Sequence, residues 1–153
     1  MVTDHLCSIS WRARPGSFVS LMTLYESNYI RLGWILPDVR GIEGRHVSRA
    51  PGDVCLHLEV LERSRYTTTL NLSYVLASEA GPVITPDLQV RVYHDARLAE
   101  ACDSAQQHRH DELRRLRETL WRQLDERWAR NVMLNKWLEY CAERGHQFPA
   151  AAQ

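Results

Sequence analysis

The residues best equipped for chemistry fall in two short stretches, Glu62-Arg63-Ser64-Arg65-Tyr66-Thr67 and Arg91-Val92-Tyr93-His94-Asp95. Arginine presents planar donors that suit carboxylates or phosphates, and tyrosine supplies flat contact area. Arg65 and Arg91 are therefore the candidate anion-pairing donors. Tyr66 and Tyr93 are the candidate planar contacts, and Glu62 and Thr67 complete the set. His94 and Asp95 offer a second chemistry. Histidine titrates near neutral pH, and a neighbouring carboxylate can orient it for acid–base work. Adjacent strand residues point to opposite faces, so the two would meet only at a turn. Asp95-Ala96 is also ordinary turn chemistry. A structural turn with a hydrogen-bonded histidine is the simpler account.

Other constellations are weaker. His94, His108, His110 and Asp111 carry metal-ligating atoms. However, no spaced Cys pattern or HExxH motif accompanies them, so no metal or cofactor is expected. The arginines at 114, 115, 117, 122, 127 and 130 could follow nucleic-acid phosphates. Asp111, Glu112, Glu118, Asp125 and Glu126 interleave with them. Such mixing suits ion pairs on a wet helix face. Trp121, Trp128 and Trp137 lie near an apolar stripe and suit a core better than base stacking. In Tyr25-Glu26-Ser27-Asn28-Tyr29, Glu26 and Asn28 either approach a sheet edge or, more simply, lie on an outer helix face. Cys7, Cys55, Cys102 and Cys141 are spread too far apart in sequence for a CxxC site. They fit free, inert thiols in a reducing compartment.

The elements that must position these residues are legible from their periods. Val54, Leu56, Leu58 and Val60 alternate with polar neighbours, as do Leu70, Leu72 and Tyr74, then Leu88, Val90 and Val92. A period of two predicts strands with one face buried. The even numbers are the buried phase. His57, Glu59, Thr67, Thr69, Asn71, Arg91 and Tyr93 then share the opposite face if the strands pair in register. Tyr66 falls on the buried phase, where its role would be packing. Ser17 caps a predicted helix of Phe18, Leu21, Met22, Tyr25, Tyr29, Leu32 and Leu36, ended by Pro37. Gly41 to Gly52 reads as a loop. Residues 97–102 permit strand or helix, and a short strand returning against 88–93 is favoured. From Asp111 the chain reads as helix, with a break expected near Arg130-Asn131 and a stop at Gly145.

These elements predict an α+β fold. It has an N-terminal helix, an antiparallel meander of three to four strands, and C-terminal helices packed on one sheet face. Residues 1–16 read as a flexible leader, 17–145 as a single domain and 146–153 as a frayed tail. The length of 153 residues and the apolar fraction of 44% suit one globular domain. Lys plus Arg equals Asp plus Glu at 19 each, which argues against a nucleic-acid binder working by bulk charge. No apolar run is long enough to span a membrane, and residues 1–16 do not form a signal peptide. A cytoplasmic protein is expected.

Four stretches together resemble a bacterial family of unknown function, the YqiB-like proteins. They are Leu24 to Tyr29 with Leu36-Pro37; Arg65-Tyr66-Thr67-Thr68; Val90 to Ala96 with Ala99-Glu100; and Asn131 with Trp137-Leu138-Glu139-Tyr140-Cys141. The resemblance implies a cytosolic bacterial protein and supplies no activity. It departs at Asp111 to Leu116, where a Tyr-Asp-Tyr-Pro-Asn-like stretch is expected of the family. The leading expectation is a non-enzymatic module that binds an unknown protein partner or a small anionic ligand on the polar sheet face. A small enzyme using His94 and Asp95 is the alternative, and a scaffold oligomerising through its terminal helices is a third.

Overall fold

In the computed structural model the described residues are 17–102 and 116–150. Helix α1 spans Phe18–Ile35, and Ser17 caps it by accepting from the Ser20 amide at 3.1 Å. Five strands follow: β1 Arg45–Ser48, β2 Cys55–Arg63, β3 Thr67–Leu76, β4 Val83–Tyr93 and β5 Leu98–Cys102. Helix α2 spans Leu116–Arg144. The strands form one antiparallel sheet in the order β1-β2-β3-β4-β5, a simple meander.

The expected α+β meander is present, with corrections. The sheet has five strands, not three to four, because Arg45–Ser48 pairs with β2 inside the segment read as a loop. Four residues between glycines are too short to show a period. Strand β4 starts at Val83, earlier than the apolar alternation begins. Residues 97–102 are the favoured strand, β5. Helix α2 continues through Arg130-Asn131 without the expected break. Its proposed start at Asp111 lies outside the described residues, as do the 1–16 leader, His108 and His110.

The even-numbered side chains from Leu56 to Leu58 in β2, Thr68 to Tyr74 in β3 and Leu88 to Val92 in β4 do face the core. Leu56, Leu58, Leu70, Leu72, Leu88, Val90 and Val92 are buried there against Leu32, Ile35, Leu134, Leu138 and Cys141. Each such side chain contributes roughly 1.5–3 kcal/mol of burial. Both helices pack on this one side of the sheet. Ala99 and Ala101 of β5 are almost fully buried, and small side chains there let the helices come close.

Strand β5 is a sheet edge, yet its free backbone groups are not left bare. The Asn131 carboxamide accepts from the Ala101 amide at 2.7 Å and donates to the Ala101 carbonyl at 3.4 Å. The Asn28 amide donates to the Ala99 carbonyl at 3.3 Å and to Asn131 at 3.2 Å. Asn135 ties in through Ser27 and Asn28 at 3.0 and 3.1 Å. Buried asparagines thus take the place of a sixth strand, which blunts the edge against further pairing. Asn28 therefore faces the sheet edge and not the outer helix face.

The segment after α2 is not a frayed tail over its described length. Gly145 adopts a left-handed φ of 91°. The His146 amide then bonds the Cys141 carbonyl at 3.0 Å, and the Gly145 amide bonds that of Ala142 at 3.1 Å. This glycine-dependent stop turns the chain back onto the core. His146 and Phe148 are buried, and the Phe148 amide bonds the Ile35 carbonyl at the end of α1.

Candidate binding surface

The sheet face opposite the helices carries most of the expected residues. Cross-strand rows fix who meets whom. Thr67 pairs with Tyr93, and Tyr93 with Leu98. Glu62 pairs with Thr69, Thr69 with Arg91, and Arg91 with Glu100. Glu62 reaches this face despite its even number because the register shifts between Val60 and Glu62. That bulge inserts one residue and inverts the phase beyond it. Arg63 consequently turns to the other side, where its guanidinium donates to the carbonyls of Val39, Arg40 and Ile42.

Arg91, Tyr93 and Glu100 form a cluster. The Tyr93 phenol beside Arg91 raises the guanidinium's already high pKa. The Tyr93 hydroxyl donates to Glu100 Oε1 at 2.6 Å. Burial and then this carboxylate push the Tyr93 phenol above its ordinary value. Glu100 was absent from the expected set, because the pairing of β5 cannot be read before its element type is known. Elsewhere on this face, Arg45 pairs with Glu59 at 3.2 Å, and Asn71 donates to Asp87 at 2.7 Å. The face is largely polar and mixed in charge.

Arg65 and Tyr66 sit at the β2–β3 turn beside this face. Ser64 and Thr67 close the turn through backbone and hydroxyl bonds, including Ser64 N–H to the Thr67 carbonyl at 2.8 Å. Tyr66 is 52% exposed, so it is not a packing residue. The Arg65 guanidinium lies 5.3 Å from the centre of its ring.

His94 and Asp95 part company. The His94 ring is buried and bonds Thr68 Oγ1 at 2.8 Å, and its amide bonds the Tyr66 carbonyl at 2.9 Å. This explains why Thr68 interrupts the apolar phase of β3. Burial, then the nearby charges of Arg40 and Arg63, hold the imidazole below its ordinary pKa. The Asp95 carboxylate instead pairs with Arg40 at 3.1 Å, with both side chains well exposed. Among the described residues no group of His, Cys, Asp and Glu is placed to hold a metal ion.

A further polar cluster had no signal in the sequence. His146 bonds Asp53 Oδ2 at 2.7 Å through Nε2 and Ser48 Oγ at 3.1 Å through Nδ1. The Tyr74 hydroxyl donates to the same Asp53 oxygen at 2.9 Å and contacts Cys141 Sγ at 3.3 Å. Ser, His and Asp are the residue types of nucleophilic catalysis. Here the His146 side chain is wholly enclosed, and Ser48 Oγ accepts from the Gln147 amide at 2.9 Å. A hydroxyl so occupied, with no open side, is a brace and not a nucleophile. Burial pushes the Cys141 thiol up to about 11. Cys141 should therefore resist iodoacetamide in the native protein and react only on unfolding. Rapid native labelling of Cys141, read by peptide mass, would contradict this enclosure.

The fold and this surface define a small α+β protein, with helices on one face of a five-stranded meander and a largely polar array on the other. The chain belongs to the DUF1249 family, described as a protein of unknown function, whose model matches residues 31–147. It is 32% identical over 132 residues to the uncharacterized protein YqiB of Escherichia coli K12, covering 84% of this chain and 90% of that one. The YqiB proteins of the O6:H1 and O157:H7 strains match to the same extent. No solved structure matches the chain. Among the described residues no helix is long and apolar enough to cross a membrane.

Proposed function

We propose that this protein is a non-enzymatic, cytosolic binding module that docks a protein partner on the outer face of its sheet. The observation that carries the reading is the cluster of Arg91, Tyr93 and Glu100 on the outer row of β4 and β5, in which the Tyr93 hydroxyl donates to Glu100. Side chains on paired strands are already ordered, so little further entropy is lost when a partner docks. Arg and Tyr are also the residue types that dominate interface energies. Arg65 and Tyr66 extend the contact at the turn, and Glu62 and Thr67 line its approach. A protein suits the face better than a small anion, because Glu59, Glu62, Asp87 and Glu100 stand among its arginines. The thiols of Cys55, Cys102 and Cys141 are free, which supports a reducing compartment.

The test is affinity capture from bacterial lysate with the tagged wild-type chain, an Arg65→Ala/Arg91→Ala variant and a Glu143→Gln control on the helical side. The expected result is a protein held by the wild type and the control and depleted at least about tenfold by the double variant, the scale of one interface hot spot. Equal recovery by all three folded chains would remove the outer face as the docking site.

A further inference from the structure

A different part of the molecule gathers arginines. Beyond the last cross-strand row, Thr67–Tyr93–Leu98, three segments converge. They are the β2–β3 turn, the β4–β5 turn and the loop that follows α1. Arg40, Arg65 and Arg97 stand exposed on them. Arg97 makes no hydrogen bond or ion pair among the described residues, and its φ of 56° is left-handed. That conformation is uncommon outside glycine and tends to persist where the surroundings, or a function, demand it.

Beneath them lies Arg63, half-buried. Among the described residues its charge meets the backbone carbonyls of Val39, Arg40 and Ile42, and no carboxylate. Two polar atoms here are closed to solvent and lack hydrogen-bond partners, Arg63 Nε and His94 Nδ1. Both orphans are nitrogens; Arg63 Nε is a donor, and His94 Nδ1 is a donor whenever its Nε2 accepts from Thr68. A corner that leaves such atoms unsatisfied lacks acceptors. The depressed basicity of His94, with Arg40 and Arg63 among its causes, reports the same positive field. The Asp95 carboxylate is bound to Arg40 in a pair exposed on both sides, and the Asp38 carboxylate on the loop is engaged by the Gly41 amide. Exposed pairs are weak and exchange readily for a better anion.

We propose that this corner binds a phosphate-type oxyanion, held by Arg40, Arg65 and Arg97 above His94 and Arg63. The dianion takes Arg40 from Asp95 and neutralises the charge that the backbone carbonyls leave unpaired. Arginine forks suit its oxygens better than they suit chloride. The site shares Arg65 with the outer-face reading but not Arg91, which lies on the sheet face and takes no part in it.

The experiment follows the His94 ring signals by NMR in the full chain as inorganic phosphate replaces chloride at constant ionic strength. A short phosphoserine peptide is run in parallel. Saturable movement of the His94 signals is expected. Tighter binding of the peptide would place the phosphate on a protein, and equal binding would place it on a small molecule or the free ion. Arg40→Gln/Arg97→Gln should weaken binding at least tenfold, Arg65→Gln severalfold, and Arg91→Ala not at all. Amide spectra check that each variant is folded. The proposal is overturned if phosphate moves His94 no more than chloride does, or if the folded double variant binds as tightly as the wild type.

Discussion

Replacing Asn131 with alanine should cost about 3 kcal/mol of stability, the largest effect expected from any single amide in this protein. The Asn131 side chain satisfies the Ala101 amide, the Ala101 carbonyl and the Asn28 amide, and it also bonds the Arg127 carbonyl at 2.8 Å. Truncation leaves the Ala101 N–H and one Asn28 donor direction buried without partners. Each orphaned group costs roughly 1–3 kcal/mol. On a domain of this size the melting midpoint should fall by about 10 °C. Amide exchange should quicken first at Ala99 and Ala101, because the edge of β5 loses its cover. Urea unfolding gives the size of the effect. A loss under about 1 kcal/mol would mean that water replaces the amide and that the asparagine network is not what holds the helices to the edge.

Replacing Asp53 with alanine should cost a similar amount, about 3 kcal/mol near neutral pH, by stranding His146 and Tyr74 together. The wild type should also carry an acid dependence that the variant lacks. Burial pushes the Asp53 carboxyl up. The bond from the Val54 amide, then those from His146 and Tyr74, outweigh it and hold the carboxyl below its ordinary value. A depressed carboxylate stabilises the fold fully above its unfolded pKa of about 4. That stability is lost as pH falls from there through the folded value. The difference in unfolding free energy between wild type and Asp53→Ala should therefore shrink below about pH 4. A difference that stays constant into acid would show that Asp53 is not ionised in its bond to His146.

Much of this fold is legible in the sequence, and the failures have separate causes. The period of two placed β2, β3 and β4 and their buried phase. It broke at Leu61, where one extra residue sends Glu62 outward and Arg63 inward. A bulge of this kind leaves no mark in an apolar pattern. A break near Arg130-Asn131 was expected because one helix running from Asp111 would be long for a domain of this size. Asn131 remains helical because its amide is spent on β5 and on the Arg127 carbonyl, and packing outweighs propensity. Ser48, Asp53 and His146 lie far apart in sequence and belong to segments without a period, so nothing brings them together before the fold exists. Arg91 and Tyr93 were found because strand phase alone places them. Glu100 was missed because its place depends on a pairing between strands.

The brace around His146 also bears on how the protein is made. Ser48 and His146 are 98 positions apart. At roughly 5–20 residues per second of synthesis, Ser48 emerges about 5–20 s before its partner exists. The local hairpins can form in that interval, whereas Asp53, Ser48 and the end of α1 wait with unmet hydrogen bonds. The nascent chain therefore passes through a stage with a sheet and no clasp, and a chaperone that recognises exposed Ile35 and Leu56 would have its chance then. Slowing translation just before codon 146 should lengthen that stage, and quickening it should shorten it.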